Sequence, residues 1–285
     1  MTVPLPPSAG IIGWPVAHSK SPVIHRFWLE KLGLDGDYGR FPVHPDDLDA
    51  AIRALPALGL RGVNVTVPHT QAVIGALDRI DAQAERIGAV NTIVVEDGAL
   101  VGYNSDAPGF LEPLQPLLAQ PWLFRMARII GTGGAALAIA QALHDVGFTI
   151  VVVGRDAAKA EALARRFAPD ERYFSTLDAF RAPSEFAWDD RGGVLDLIVN
   201  ATSLGMKGQP PLELDFSHVP PGATVYDIVY TPLETPLLAA ARARGHATID
   251  GLAMLIGQAA SAFERFFGVA APRAHDAELR ERLMR

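Results

Sequence analysis

The chain is 285 residues long and 49% hydrophobic, which is room for two modest domains with cores of their own. Its formal charge of −7 includes no basic run, so it offers no footprint for nucleic acid or an anionic membrane, and small-molecule chemistry is the better expectation. Without cysteine there is no disulfide, thiolate metal site or cysteine nucleophile. The opening MTVPLPPSAGII lacks a basic region followed by a long apolar stretch, and no segment holds about eighteen uninterrupted apolar residues, so the expected location is the cytoplasm.

Short apolar runs punctuated by Gly and Pro alternate with amphipathic segments throughout, the pattern of an α/β protein built on largely parallel sheets. The reading begins with strand AGIIG, a helix starting after Pro22, a strand from about Tyr38 to Pro42 and a helix from Pro45 to about Leu55. GVNVTVPHT, residues 62–70, then alternates Val63, Val65 and Val67 with Asn64 and Thr66. That period predicts a strand with one face in a core, ended by Pro68, which has no amide to donate. Its other face is either solvated or turned to a pocket, since adjacent amide and hydroxyl side chains suit a polyhydroxylated ligand. Helical segments near 70–76 and 81–87 lead into NTIVVEDGALVGYN, a hairpin turning at Asp97-Gly98. Residues 107–120 form a connecting helix interrupted by Pro113 and Pro116.

A second unit opens at ARIIGTGGAALAIAQALHDVGFTIVVVGRD, residues 127–156, as strand, glycine turn, helix and strand, one complete βαβ unit. Strands follow at 195–200, 224–228 and 247–249, with a helix at about 234–244 and two closing helices over 252–267 and 272–285. Periodicity leaves open which unit the closing helices pack against.

In GTGGAA, Gly131, Gly133 and Ala136 fit a dinucleotide fingerprint, in which glycines let the backbone approach a pyrophosphate at the positive end of a helix. A plain tight turn is the alternative. Arg155, at the end of TIVVVG, suits a ribose 2′-phosphate and favours NADP, while Asp156 beside it leaves NAD possible. Other polar clusters fall at strand ends: Ser19 and Ser21 in HSKSP, Asn91 in GAVNT, Asp106 in GYNSD, and the stretches NATSLGM, YDIVYTP and GLAMLIGQ. Ser21 and Asp106 can equally be helix caps, Arg155 a solvated cation, and Tyr230 and Gln258 ordinary surface residues. There is no HExxH, GxSxG or GxxxxGK, and no metal is expected.

Taken in order, HSKSPVIH, GVNVTVP, IGAVNT, GYNSD, GTGGAA, NATSLGM, YDIVYTP and GLAMLIGQ resemble the shikimate dehydrogenase family, from Gly13 to about Gly268. The resemblance implies a substrate-binding domain over 1–106, a Rossmann NADP-binding domain over 107–250, C-terminal helices over 251–285 returning to the first domain, and an active site in the cleft. It implies NADPH-dependent reduction of 3-dehydroshikimate to shikimate, and the reverse, in aromatic amino acid biosynthesis, by a monomer or homodimer. By motif, Ser19, Ser21, Asn64, Thr66, Asn91, Asp106, Tyr230 and Gln258 match the family's substrate-contacting positions. Gly131, Gly133, Gly134, Ala135 and Arg155 match its cofactor positions, with Thr202, Met206, Gly251 and Met254 nearer the nicotinamide.

The family motif reads N-V-T-x-P, one further residue, then a lysine that pairs with the aspartate in proton transfer. Here that position is Thr70, so the catalytic pair carried over is Asp106 with Thr70 in the lysine's place. A threonine hydroxyl hydrogen-bonds but does not change protonation near neutral pH, which makes it a poor general acid. His69 is of a type that titrates in the useful range, but neighbouring side chains usually point in different directions. Smaller departures are Arg26 for asparagine, Ser105 for threonine, and Gly154-Arg155-Asp156 for asparagine-arginine-threonine. Three readings follow: a family enzyme in which Thr70 is an introduced substitution; a paralogue that turns over slowly or takes a related acid such as quinate; and a non-catalytic protein that binds ligand and cofactor.

Overall fold

Two six-stranded sheets organise the chain. The computed structural model describes residues 5–171, 173–181 and 193–285, and the chain divides into one unit of Met1–Gly109 with Ile256–Arg285 and another of Phe110–Leu255.

The first unit runs β1 (Ser8–Gly13), α1 (Ser21–Leu32), β2 (Asp37–Pro42), α2 (Leu48–Ala54), β3 (Leu60–Val65), β4 (Arg79–Ile80), α3 (Ala82–Ile87), β5 (Thr92–Glu96) and β6 (Ala99–Tyr103). Its sheet order is β2-β1-β3-β5-β6-β4, with β5 antiparallel to both neighbours and the other pairings parallel. The sheet is therefore mixed rather than parallel throughout. Successive side chains of a strand point to opposite faces. Ile12, Val63, Val65 and Ile93 accordingly join Leu48, Ile52 and Leu55 in one core. Ala9, Ile11 and Val94 join Tyr38, Ala262 and Phe266 in another. The β5–β6 hairpin turns at Asp97 (φ 51) and Gly98 (φ 82), both left-handed as the right-handed twist of the strands demands.

The chain crosses into the second unit within α4 (Asp106–Leu111), after which Pro113 and Pro116 each sit in the first turn of a short helix, the second being α5 (Gln115–Leu118). There follow β7 (Phe124–Ile130), α6 (Gly134–Asp145), β8 (Thr149–Gly154), α7 (Ala157–Ala164), β9 (Phe174–Thr176), α8 (Leu177–Arg181), β10 (Val194–Asn200), β11 (Thr224–Asp227), α9 (Pro236–Ala243) and β12 (Ala247–Ile249). The order β12-β11-β10-β7-β8-β9 is parallel throughout, the doubly wound order in which the first strand stands at the centre. The chain returns to the first unit within α10 (Gly251–Phe267), whose later turns carry Ala262 and Phe266 into that unit's core, and ends with α11 (Asp276–Met284).

The structure differs from the sequence reading in a few places. β3 stops at Val65, and Val67, expected on the apolar face, is 71% exposed. The chain still follows β1 for two more residues, because Thr66 N donates to Ile12 O at 3.0 Å and Trp14 N to Val67 O at 3.0 Å. The 45–55 helix divides into a tight turn at Pro45–Asp47 and α2, and the 70–76 segment is a 3-10 helix, Ala72–Ala76. β4 and β9 are too short for any period to register, and the Ala-rich α7 carries little pattern. Among the described residues no helix is long and apolar enough to cross a membrane.

Candidate active site

In the first unit the polar residues at the strand ends form one buried hydrogen-bonded chain. Ser21 is the first residue of α1 rather than its cap, which frees its hydroxyl for other partners. Ser19 Oγ donates to Ser21 Oγ at 3.2 Å, and Arg40 fixes the loop from outside through the Ser19 carbonyl, at 3.0 and 2.6 Å. Burial raises the pKa of Tyr38, against a smaller opposing effect of Ser21, and the Tyr38 hydroxyl donates to Asn64 Oδ1 at 2.6 Å. Asn64 Nδ2 donates to Asn91 O at 3.2 Å and to Thr92 Oγ1 at 3.0 Å. Asn91 Oδ1 then receives the Thr92 hydroxyl at 3.0 Å and the Ser105 amide at 2.7 Å, and Ser105 Oγ reaches Gln258 Oε1 at 3.3 Å. The polar face of β3 is thus not a solvated one: Asn64 is only 5% exposed, and Thr66 is half-buried.

The chain ends at a carboxyl group. Asn104 caps α4 by accepting the amides of Asp106 and Ala107 at 3.1 and 3.3 Å, so the Asp106 side chain is not spent as a cap. Burial pushes the Asp106 carboxyl up to about 6, against the opposing effect of a hydrogen bond from Asn91. The Thr70 carbonyl accepts the amide of Val90 at 2.7 Å. His69 is buried, and its ring Nε2 donates to the Val43 carbonyl at 2.8 Å, just past β2. That bond ties the histidine ring into the fold.

In the second unit β7 and β10 are neighbours at the point where the strand order reverses, which is where doubly wound sheets bind ligands. Gly131 follows β7 at φ 132, and a Cβ there would lie 2.7 Å from the Ala201 carbonyl just past β10, so only glycine lets the two strand ends approach this closely. Gly133 faces open space where a side chain would be, and α6 starts at Gly134 and Ala135 with no side-chain cap, leaving its first amides to an anion. These features fit a dinucleotide pyrophosphate. Arg155 is exposed just past β8, while the Asp156 carboxylate accepts the amides of Ala158 and Lys159 at 3.0 and 3.2 Å as the cap of α7. The acid that leaves NAD possible in the sequence is therefore occupied locally. Thr202 folds its loop back onto Asn200, with N and Oγ1 donating to Asn200 Oδ1 at 3.1 and 2.7 Å, ahead of the half-buried Met206. Tyr230, Gly251 and Met254 belong to this unit.

Asp227, fully buried at the end of β11, braces these loops. Its Oδ1 accepts from Asn200 Nδ2 at 2.9 Å and Val229 N at 3.0 Å, and its Oδ2 accepts from Thr235 Oγ1 at 2.6 Å. Burial nonetheless raises its carboxyl to about 6, outweighing the hydrogen bonds from Thr235, Val229 and Asn200. The folded chain then holds this proton more tightly than the unfolded one. Ionised Asp227 costs stability above pH 6, and the cost is relieved as the pH falls from about 6 towards about 4. Asp227→Asn removes that titration. In urea unfolding its stability should vary less with pH across this window, by about 3 kcal/mol, than that of the unaltered chain.

The parallel sheet with a glycine turn at its switch point makes the second unit a Rossmann-type dinucleotide-binding fold, joined in one chain to a mixed α/β unit. The shikimate dehydrogenase substrate binding domain matches residues 11–93, the shikimate 5′-dehydrogenase C-terminal domain matches residues 251–278, and a shikimate dehydrogenase (NADP(+)) of Rhodospirillum rubrum is 49% identical, covering 94% of each chain. The chain belongs to the shikimate dehydrogenase family. A solved shikimate dehydrogenase in complex with NADP+ is 36% identical with a TM-score of 0.85, covering 98% of this chain and 96% of that one. The shikimate 5-dehydrogenase of Thermus thermophilus, in complex with NADP(H) and shikimate, is 35% identical with a TM-score of 0.81, covering 97% and 99%.

Sequence reasoning missed Tyr38 and Thr92, which carry the hydrogen-bonded chain across the sheet, and Asn200, Asp227 and Thr235, which brace the second unit's loops. Thr92, Asn200 and Asp227 lie inside stretches singled out for other residues, so their neighbourhood is the available signal. Tyr38 has none: in DYGRFP it reads as an ordinary strand aromatic.

Proposed function

We propose that this chain is an NADP-dependent dehydrogenase interconverting 3-dehydroshikimate and shikimate in aromatic amino acid biosynthesis, in the cytoplasm, with turnover slowed by Thr70. In this reading residues 1–106 hold the substrate, 107–250 the NADP and 251–285 complete the substrate side, as a monomer or homodimer. The observation that carries it is the buried chain of donors and acceptors running from Ser19 to Asp106 and Gln258, which suits a small polyhydroxylated acid. Thr66 and Tyr230 are the further hydroxyls this reading assigns to the substrate. Bound NADPH supplies the hydride. Asp106 exchanges a proton near neutral pH, and Asn91 orients its carboxyl. Thr70 offers a ligand oxygen a hydrogen bond but no mobile proton. On the cofactor side, Gly131, Gly133, Gly134 and Ala135 present backbone to the pyrophosphate and Arg155 meets the 2′-phosphate, while Thr202, Met206, Gly251 and Met254 line the nicotinamide end.

Initial rates with shikimate and quinate, each with NADP and NAD, test the assignment. Shikimate with NADP should be the best pair. Quinate as the better substrate would mark a quinate-type paralogue, and saturable binding without any turnover would mark a binding protein. Arg155→Ala should weaken NADP by about 10- to 100-fold, the worth of a charge-assisted hydrogen bond, while NAD binding stays nearly unchanged. Equal losses for both dinucleotides would place Arg155 away from the 2′-phosphate.

A further inference from the structure

The buried hydroxyl of Tyr38 stands between two groups of candidate substrate contacts, the serines at the start of α1 and Asn64 on β3. Tyr38 is fully buried, and its ring stacks on His25 with centroids 4.0 Å apart and planes 4° from parallel. Phe266 lies against both rings, at 6.1 and 6.3 Å, and Trp28 and Phe263 pack on His25 at 6.0 and 5.8 Å. Neither ring nitrogen of His25 has a hydrogen-bond partner, and burial lowers its pKa to about 3, so the histidine acts here as one more neutral aromatic plate. The box holds the tyrosine by its faces and leaves the hydroxyl to point into the polar chain.

One fixed end sets the direction of the bonds that Asn64 makes. The Asn91 carbonyl only accepts, so the Asn64 group facing it is the amide nitrogen, and the group facing Tyr38 is Oδ1. An acceptor there requires the Tyr38 hydroxyl to donate. Between the two serines, Ser19 Oγ donates to Ser21 Oγ at 3.2 Å. On the far side Thr92 receives Asn64 Nδ2 and passes its own proton to Asn91 Oδ1.

We propose that Tyr38 is a positioning residue for the substrate side: its hydroxyl locks the amide orientation of Asn64, and so presets the donor and acceptor pattern that the ligand meets. The identity of that ligand rests on the function proposed above; the locking does not. Tyr38→Phe keeps the ring in its box and removes only the hydroxyl, while Phe266→Leu loosens the same box and keeps the hydroxyl.

In the full chain labelled with ¹⁵N, the two side-chain amide protons of Asn64 report the lock without any ligand. They should shift and exchange with solvent about tenfold faster in Tyr38→Phe, and stay close to the unaltered chain in Phe266→Leu. Calorimetry should show shikimate binding about tenfold weaker in Tyr38→Phe, with NADP binding changed by less than about twofold. Unchanged Asn64 signals in Tyr38→Phe, or equal changes in both variants, would overturn the proposal. If shikimate does not bind the unaltered chain, the functional assignment fails, and the Asn64 signals still decide for or against Tyr38.

Discussion

Thr70→Lys is expected to raise the turnover number for shikimate oxidation by about two orders of magnitude or more. As hydride leaves the substrate carbon, a hydroxyl proton must leave with it, and in the reverse direction a proton must reach the developing alkoxide. A positioned acid or base is typically worth about 10² to 10⁴ in rate, or roughly 3 to 5 kcal/mol of barrier. The Thr70 hydroxyl has no protonation change to offer, and the neighbouring His69 ring is tied to the Val43 carbonyl. The gain should fall on turnover rather than on substrate affinity, because the interaction strengthens as charge develops. Steady-state kinetics of the two proteins, prepared side by side, check this. Brisk turnover of the unaltered chain with no gain from Thr70→Lys would mean that another group carries the proton.

Asp106→Asn in the Thr70→Lys background should remove most of that gain, about 10² or more in turnover number. An asparagine keeps the size of the side chain and a hydrogen bond to Asn91, but it neither takes up a proton nor holds the lysine ammonium in place. The pH profile gives a second check. In the unaltered chain the carboxyl is raised to about 6 by burial, so activity in the oxidation direction should rise with pH through about 6 as Asp106 loses its proton. A lysine beside it favours the carboxylate, so Thr70→Lys should move this limb to lower pH. A limb that stays in place in both proteins would show that Asp106 is not the group being titrated.

Strand and helix order was legible because apolar period and turn chemistry agree along most of the chain. NTIVVEDGALVGYN announces its hairpin through Asp97-Gly98, and GTGGAA announces the strand-to-helix turn at Gly131. The limits of the reading are long-range. Whether Asn64 faces water or a pocket depends on Tyr38, Asn91 and Thr92, which stand on β2, at the start of β5 and on β5, and a period of two reports alternation without naming the neighbour. The same holds for Arg128 and Asp196, which sit inside apolar strand runs and form a buried ion pair across β7 and β10, 68 residues apart in sequence. Caps were a nearer miss. Ser21 and Asp106 are both helix-starting types, yet each lies one position or more inside the helix, with Lys20 and Asn104 before them. The departure at Thr70 was visible at once, because it is a property of the sequence. What surrounds it required the fold.

A chain impaired through Thr70 alone holds shikimate normally and is slow only at the chemical step. Rapid mixing of the NADP-loaded chain with increasing shikimate, followed by NADPH absorbance in a single turnover, separates the two directly. The half-saturating concentration reports binding, and the limiting rate reports hydride and proton transfer. The account predicts half-saturation within a few-fold of that of Thr70→Lys and a limiting rate lower by about 10² or more. Equal limiting rates, with the difference appearing in the half-saturating concentration, would contradict it.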